Sequence, residues 1–265
     1  MKKVISLLLM SILVAGVLAA CGSDGEGNQD LGGFTIEDAD GGYAIAFPKD
    51  SELTDEFNNE LKAMIDNGEM DTIIKKWFDS ESDEGSSNET ASNDSDKKVL
   101  KMATSADYAP FEYIDTANSG DYVGLDIDIA KAITDKLGYK LEIQDMDFGG
   151  LISALQNGQA DFVMAAMSAT DERKESVDFS EVYYTSKHFI ISKKDSGIES
   201  KEDLAGKKVG AQMGSIQEEK GNDLAEDIGF TLENRNRIPE LIQEIQAGRL
   251  DAAIIEDTVA QGYLE

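Results

Sequence analysis

The sequence predicts an α/β protein folded as two similar lobes. Three observations lead there. Strand-like runs of Val, Ile, Leu and Ala alternate with helically spaced apolar residues through positions 99–264, the pattern of βα units with a mostly parallel sheet. The alternation restarts near residue 192, after the pair Tyr183-Tyr184, so the second half repeats the plan of the first. Hydrophobic residues fill 41% of the 265 positions, enough for packed cores and more than a disordered chain carries.

Charge and cysteine content exclude several functions. Asp and Glu number 53 against 24 Lys and Arg, a net charge of −29, which repels phosphate backbones and argues against nucleic acid as a partner. The single cysteine permits no internal disulfide and no Cys-rich zinc site. No phosphate loop, His-rich metal motif or nucleophile–His–Asp arrangement is readable, so neither a cofactor nor a metal is expected.

Taken in order, residues 1–20 begin with Lys2-Lys3, continue through an apolar run over 4–18 and end in Leu18-Ala19-Ala20. The run is short for a membrane span and has the form of an export signal. Small residues ahead of the lone Cys21 resemble a bacterial lipobox, in which a diacylglyceryl group joins the thiol and cleavage leaves the cysteine first. Cys21 is therefore the expected lipidation site, holding the protein on the outer face of a bacterial, Gram-positive membrane. Residues 21–30 are small and acidic and read as a tether.

Residues 31–78 form a short block. Strands are expected at 34–37 and at 43–47, the second ended by Pro48. A helix near 54–67 places Phe57, Leu61, Met64 and Ile65 on one face and stops at Gly68. A second helix over 69–78 aligns Met70, Ile73, Ile74 and Trp77. So small a block is poorly able to fold alone, and its apolar faces need the rest of the chain. Residues 79–96, DSESDEGSSNETASNDSD, contain no base and nothing apolar larger than alanine, and read as a solvated linker.

The long block opens with a strand at 99–103 and a helix capped by Asp126 that runs to about 137, with Ile129, Ile133 and Leu137 inward. A strand at 141–143, a helix at 150–156, a buried strand at 162–166 and a strand at 188–192 follow. The repeat brings a strand at 208–212, helices at 215–228 and 239–247, a strand at 250–255 and a helix at 257–264. Ligands of such sheets sit outside the carboxyl ends of the strands.

Several strings lie where that rule puts a site: ATSADYAPFE (103–112), GLDID (124–128), MDFGGL (146–151), SATDER (168–173) with VDFS (177–180), GKKVG (206–210) and GRLDA (248–252). In this order and spacing they resemble the polar amino-acid-binding proteins of bacterial ABC importers, solute-binding protein family 3, over nearly all of 31–265. The resemblance implies a two-lobed type II periplasmic-binding-protein fold with a hinge of two crossing strands. One feature departs from it. The counterpart of 31–79 lies at the carboxyl end of family chains, and joining Glu265 to residues 27–31 would restore the usual order. The chain therefore reads as circularly permuted, its linker joining the old ends, with a reach of roughly 20–25 Å for about 18 flexible residues. The expected parts are a return and hinge at 31–42, lobe 1 from 43–78 and 98–185, a disordered linker at 79–97, and lobe 2 from 186–265.

An amino acid brings a carboxylate, an ammonium and a side chain, and burying the two charges demands partners for each. Arg173 suits the carboxylate as a bidentate guanidinium, the role the resemblance gives it. Ser168 adds a hydroxyl, Ala166 a backbone carbonyl, and Ser215 and Ile216 the start of a helix that favours an anion. The resemblance places Glu256 at the ammonium, where relatives usually carry Asp, with Asp257 as a substitute. It also makes Tyr108 and Phe148 the two aromatics that sandwich the ligand. Ser105 and Gln212 stand where relatives tune the side-chain pocket, and both are neutral. That favours a polar side chain such as glutamine, while Asp107, Asp145 and Asp147 nearby favour a basic one. The two readings stay open.

The resemblance implies a monomeric substrate-binding protein that captures a polar L-amino acid between closing lobes and delivers it to an ABC permease and its ATPase. Residues 178–186 would be one crossing between lobes and residues 40–43 the return. The alternatives are an enzyme on the same fold (similar to cyclohexadienyl dehydratases) using Glu256 with Asp107 or His188, an amino-acid sensor, and a non-functional rearranged product.

Overall fold

The computed structural model describes residues 30–39, 41–78 and 97–264. The export signal, Cys21 and most of the linker lie outside the described residues. Among the described residues are two five-stranded sheets and a small three-stranded one. Strand β1 (Leu31–Asp38) is followed by β2 (Ala46–Pro48) and the helices α1 (Glu52–Asp66) and α2 (Glu69–Phe78). Next come β3 (Val99–Thr104), the three-stranded sheet β4 (Asp107–Tyr108), β5 (Glu112–Ile114) and β6 (Tyr122–Val123), and helix α3 (Leu125–Lys136). Then follow β7 (Lys140–Asp145), α4 (Leu151–Gln156), β8 (Phe162–Val163), α5 (Asp171–Lys174) and β9 (Val177–Phe179). The remainder is β10 (Lys187–Lys193), β11 (Lys208–Gln212), α6 (Ile216–Ile228), β12 (Thr231–Arg235), α7 (Ile238–Gln246), β13 (Ala252–Glu256) and α8 (Asp257–Leu264).

One sheet has the order β7-β3-β8-β2-β9 and the other β1-β10-β13-β11-β12. The expected mostly parallel sheets are in fact mixed. β3 pairs parallel with β7 and β8, and β11 with β12 and β13. β2, however, lies antiparallel to both β8 and β9, and β10 antiparallel to both β1 and β13. The cause is that strands arriving from the opposite lobe enter each sheet against the direction of its βα units.

The short block is completed by the long one. Phe57 packs on Phe162 at 4.9 Å between ring centres, and Phe47, Leu61 and Met64 are fully buried in the same core. Lys76 and the Trp77 indole N–H both reach the Asp128 carboxylate of α3, at 2.7 and 2.8 Å. β1 is received just as closely. At Gly33 a side chain would meet the Ile190 carbonyl at 2.0 Å and the Phe189 ring at 2.4 Å, so the two strands approach as only glycine permits.

Three local expectations change. The strand expected at 43–47 shrinks to residues from Ala46, because Tyr43 instead bridges Ser168 and Tyr184 between the sheets. The strand expected at 162–166 ends at Val163, since the chain turns so that Ala166 takes φ 46°, a left-handed conformation costly for a residue with a side chain. Asp126 is not the cap of α3. Gly124 holds that position, and the fully buried Asp126 carboxylate accepts the Ala166 N–H and the Tyr183 hydroxyl, each at 2.8 Å.

Two segments join the sheets. Ala39 N–H donates to the Ser186 carbonyl and Tyr43 N–H to that of Tyr184, so Ala39 and Tyr43 lie beside 184–186. Stacked rings of Tyr43 and Phe78 on Tyr184 stiffen this crossing.

Candidate functional site

Facing carboxyl ends of the two sheets enclose one small cavity. Its wall contains all ten residues expected from the sequence: Ser105, Tyr108, Phe148, Ala166, Ser168 and Arg173 from one side, and Gln212, Ser215, Ile216 and Glu256 from the other. Each lies at the end of a strand or the start of a helix, because these are the loops where parallel strands hand over to helices. Glu112, Ala165 and Gln217 complete the lining and were not anticipated. Asp257, the substitute considered for Glu256, points elsewhere: its carboxylate accepts the N–H groups of Lys187 and Thr258.

Thr170 caps the single turn of α5, and this sets Arg173 into the cavity wall. Arg173 is only 7% exposed. Its Nη1 donates to the Ser168 carbonyl and its Nη2 to the Gly214 carbonyl across the cleft, both at 2.9 Å, and the guanidinium lies 5.5 Å from the centre of the Phe148 ring. Burial lowers its pKa, opposed by Glu219 and Glu172. Its other N–H groups leave a buried, oriented cation able to take a carboxylate. On the far wall Ser215 caps α6, its hydroxyl accepting from Glu218 N–H and donating to the Gln212 carbonyl. Gln212 is itself anchored through its side-chain amide to the Asn236 carbonyl at 3.1 Å.

Two buried carboxyl groups share the cavity lining with Arg173. Glu256 accepts weakly from Gln217 Nε2 at 3.3 Å through one oxygen, and the other oxygen has no hydrogen-bond partner among the described residues. Burial first, and Asp257 second, hold its pKa well above the ordinary carboxylate range. Glu112 is 1% exposed and lies beside Asp126, and neither of its oxygens accepts a hydrogen bond from a donor among the described residues. Burial, then the nearby Asp126 and Asp107 charges, push it up likewise.

The three acids that could have served a basic ligand are taken by the protein itself. Arg237, at the start of α7, forks onto Asp145 at 2.8 and 3.3 Å, reaches Asp147 at 2.9 Å, and touches Asp107 at 3.3 Å. Asp107 also accepts the Ile238 N–H and the Ser105 hydroxyl, both at 2.8 Å. Asn236 adds a bond to Asp147. Gly149 and Gly214 meet so closely that a side chain at 214 would come 2.8 Å from the Gly149 Cα. These contacts shut the mouth of the cleft.

Glu112 was not legible because it sits in the motif ATSADYAPFE without any spacing that marks it as facing the cavity. Gln217 had a weak signal, being the second residue of a helix that starts at the site. Arg237 had none, since its partners lie 90 to 130 residues away in the chain.

Comparison with known proteins places these features in context. The description "Bacterial extracellular solute-binding proteins, family 3" matches residues 100–223. The chain is 57% identical to the arginine-binding extracellular protein ArtP of Bacillus subtilis over 181 residues, covering 68% of this chain and 69% of that one. It is 32% identical to a probable histidine-binding protein of Campylobacter jejuni, covering 66% of each chain. Among solved structures, an ancestral arginine-binding protein bound to arginine superposes with a TM-score of 0.60 at 44% identity, over 63% of this chain and 74% of that one. The substrate-binding protein AbpA of Streptococcus pneumoniae bound to L-arginine gives 0.60 at 41% identity, over 63% and 70%. The matched part thus spans about two thirds to three quarters of each relative.

Proposed function

The chain belongs to the bacterial extracellular solute-binding proteins of family 3, and from that premise we propose that it captures an L-amino acid, arginine foremost, for an ABC importer. One observation carries the reading. A buried guanidinium and a buried carboxyl group, Arg173 and Glu256, line the same small cavity from opposite lobes, as an α-carboxylate and an α-ammonium require. Tyr108 and Phe148 give the apolar stem its walls. Arginine is favoured over glutamine by the arginine-binding relatives at 57% and 44% identity and by Glu112 in the lining.

The protein acts by binding, not by catalysis. Asp107, which a dehydratase would need as acid or base, is held by Arg237, Ile238 and Ser105. Closure of the lobes presents the loaded form to a permease and its ATPase. Lipid attachment at Cys21 keeps the protein beside them, and fatty-acid labelling lost in Cys21→Ser would test it.

The chain order is a circular permutation of the family's. Support comes from β1 and β2, which precede the linker yet occupy an edge of one sheet and an interior place in the other. A rebuilt gene running 97–265 and then 27–78 should give the same melting behaviour and the same ligand.

The deciding experiment is a thermal melt of residues 22–265 with each common amino acid. Arginine should raise the midpoint by mass action, and Arg173→Ala should abolish the rise. A cooperative melt that no amino acid shifts would overturn the reading.

A further inference from the structure

Ala166 stands in the cavity wall with φ 46°, and Asp50, on an exposed turn, has φ 58°; among the described residues these are the non-glycine positions in the left-handed region. Aspartate visits that conformation at modest cost and alanine does not, so something must hold Ala166 in it. The holder is Asp126. Its Oδ2 accepts the Ala166 N–H at 2.8 Å, from 40 residues away in the chain, and its Oδ1 accepts the Tyr183 hydroxyl at 2.8 Å. Asp126 is itself locked in place. Its N–H donates to the Phe111 carbonyl at 2.9 Å, and a side chain at Gly124 would meet that same carbonyl at 2.0 Å, so the start of α3 is pressed onto Phe111 as only glycine permits. The Asp126 side chain is fully buried. Burying a carboxyl group is expensive, and here both of its bonds leave the helix, one for the cavity wall and one for a tyrosine beside the segment that joins the sheets. From Ala166 the wall runs through Met167 to Ser168, whose carbonyl accepts Arg173 Nη1 at 2.9 Å.

We propose that Asp126 is a positioning residue for ligand capture, holding the Ala166 peptide in its left-handed turn so that the Ala166 carbonyl and Ser168 are aimed into the cavity. The inference rests on the amino-acid-binding reading and concerns how the wall is held, not which side chain is selected. The carbonyl is an acceptor for the ligand's ammonium, and Ser168 sets the guanidinium that meets its carboxylate. Without Asp126, rotation about the Ala166 N–Cα bond to an ordinary negative φ turns the carbonyl away and carries Ser168 with it. Glycine at 166 takes the left-handed conformation without that cost, so it makes the hold dispensable.

Calorimetric titration with arginine separates the roles. Asp126→Asn keeps an acceptor for the Ala166 N–H and should stay within a few-fold of wild type. Asp126→Ala leaves that N–H unpartnered and should lose roughly ten- to hundredfold in affinity. Adding Ala166→Gly to Asp126→Ala should return most of the loss. Tyr183→Phe removes the other hydrogen bond but leaves the turn held, so it should cost no more than a few-fold. A merely structural Asp126 would give no recovery with glycine, and neither would an effect passed through Glu112, which lies beside it. Amide hydrogen exchange supplies a measure that needs no variant and serves if Asp126→Ala does not fold. In the ligand-free protein the Ala166 amide should exchange like those of the core strands, roughly a hundredfold or more slower than an open loop. A fast-exchanging Ala166 amide, equal losses in Asp126→Asn and Asp126→Ala, or no recovery with Ala166→Gly would overturn the inference while leaving the binding function intact. No binding of arginine by the wild-type protein would overturn that function and this inference with it.

Discussion

Arg237→Ala should loosen the closed cleft while leaving every residue of the cavity lining in place. The side chain makes a forked pair with Asp145 (2.8 and 3.3 Å), a single bond to Asp147 (2.9 Å) and a longer contact to Asp107 (3.3 Å). Arg237 is 23% exposed, Asp145 28% and Asp147 53%. The forked pair is worth about 1.5 kcal/mol as a charge-assisted interaction. The exposed Asp147 contact adds only about 0.5 kcal/mol. Asp107 keeps two other donors when Arg237 leaves, so its share is about 0.5 kcal/mol. The sum, about 2–3 kcal/mol, applies only to the closed form and corresponds to a roughly 30- to 150-fold loss of affinity. The loss should appear mainly as faster dissociation, because the latch forms after the ligand has entered. Surface plasmon resonance with arginine at low and high salt reads both quantities. Wild-type affinity should fall with ionic strength by more than the variant's does, since in the variant the screened cross-cleft pairs of Asp107, Asp145 and Asp147 are gone and only the ligand's own charge remains to be screened. Unchanged dissociation in Arg237→Ala, or a loss that is the same at every salt concentration, would refute the latch.

Three further outcomes follow from the same geometry. Arg173→Lys should lose at least tenfold in affinity although charge is kept, because an ammonium cannot serve Ser168, Gly214 and a carboxylate together; calorimetry against Arg173→Ala separates shape from charge. Asp126 is held near 7 against 3.8 in an unfolded chain, so the folded state keeps a proton that the unfolded state gives up above about pH 4. Its contribution is full below that value and is lost as pH rises toward 7, at up to about 1.4 kcal/mol per unit. The ligand-free melting point should therefore drop by about 5–10 °C between pH 5 and pH 7.5, and Asp126→Asn should flatten much of that drop. Gly33→Ala should weaken or expel β1, destabilising the protein by about 2 kcal/mol or more, because the new methyl group would overlap the Ile190 carbonyl. Chemical denaturation showing no change at Gly33→Ala would mean that β1 does not pack there.

Much of the architecture was legible because it depends on short-range periodicity. Apolar spacing of three and four marks α1, α2 and α7, where Phe57, Leu61 and Met64, then Met70, then Leu241, Ile242 and Ile245 are buried. Ser215 before α6 and Gly229 after it bound that helix with a side-chain cap and a left-handed turn. The ten cavity residues were within reach because the family resemblance is carried by strings attached to strand ends, and strand ends are where such sheets gather a ligand. β12 and the small sheet of β4, β5 and β6 escaped notice, since Thr231–Arg235 has little apolar alternation and two- or three-residue strands leave no period to read.

What the amino-acid sequence determined by itself was local. It set which segments are helix or strand, which strings carry polar groups to their ends, and that the short block cannot stand alone. What only the tertiary structure decided was pairing between distant parts. Asp107, Asp145 and Asp147 read as a lure for a basic ligand until Arg237 was found upon them. Asp126 read as a helix cap until its oxygens were found on Ala166 and Tyr183, some 40 and 57 residues on. Glu112 gained meaning only when the fold buried it in the cavity lining. A charge's role depends on what surrounds it in three dimensions, and sequence spacing carries that information only within a turn or a strand.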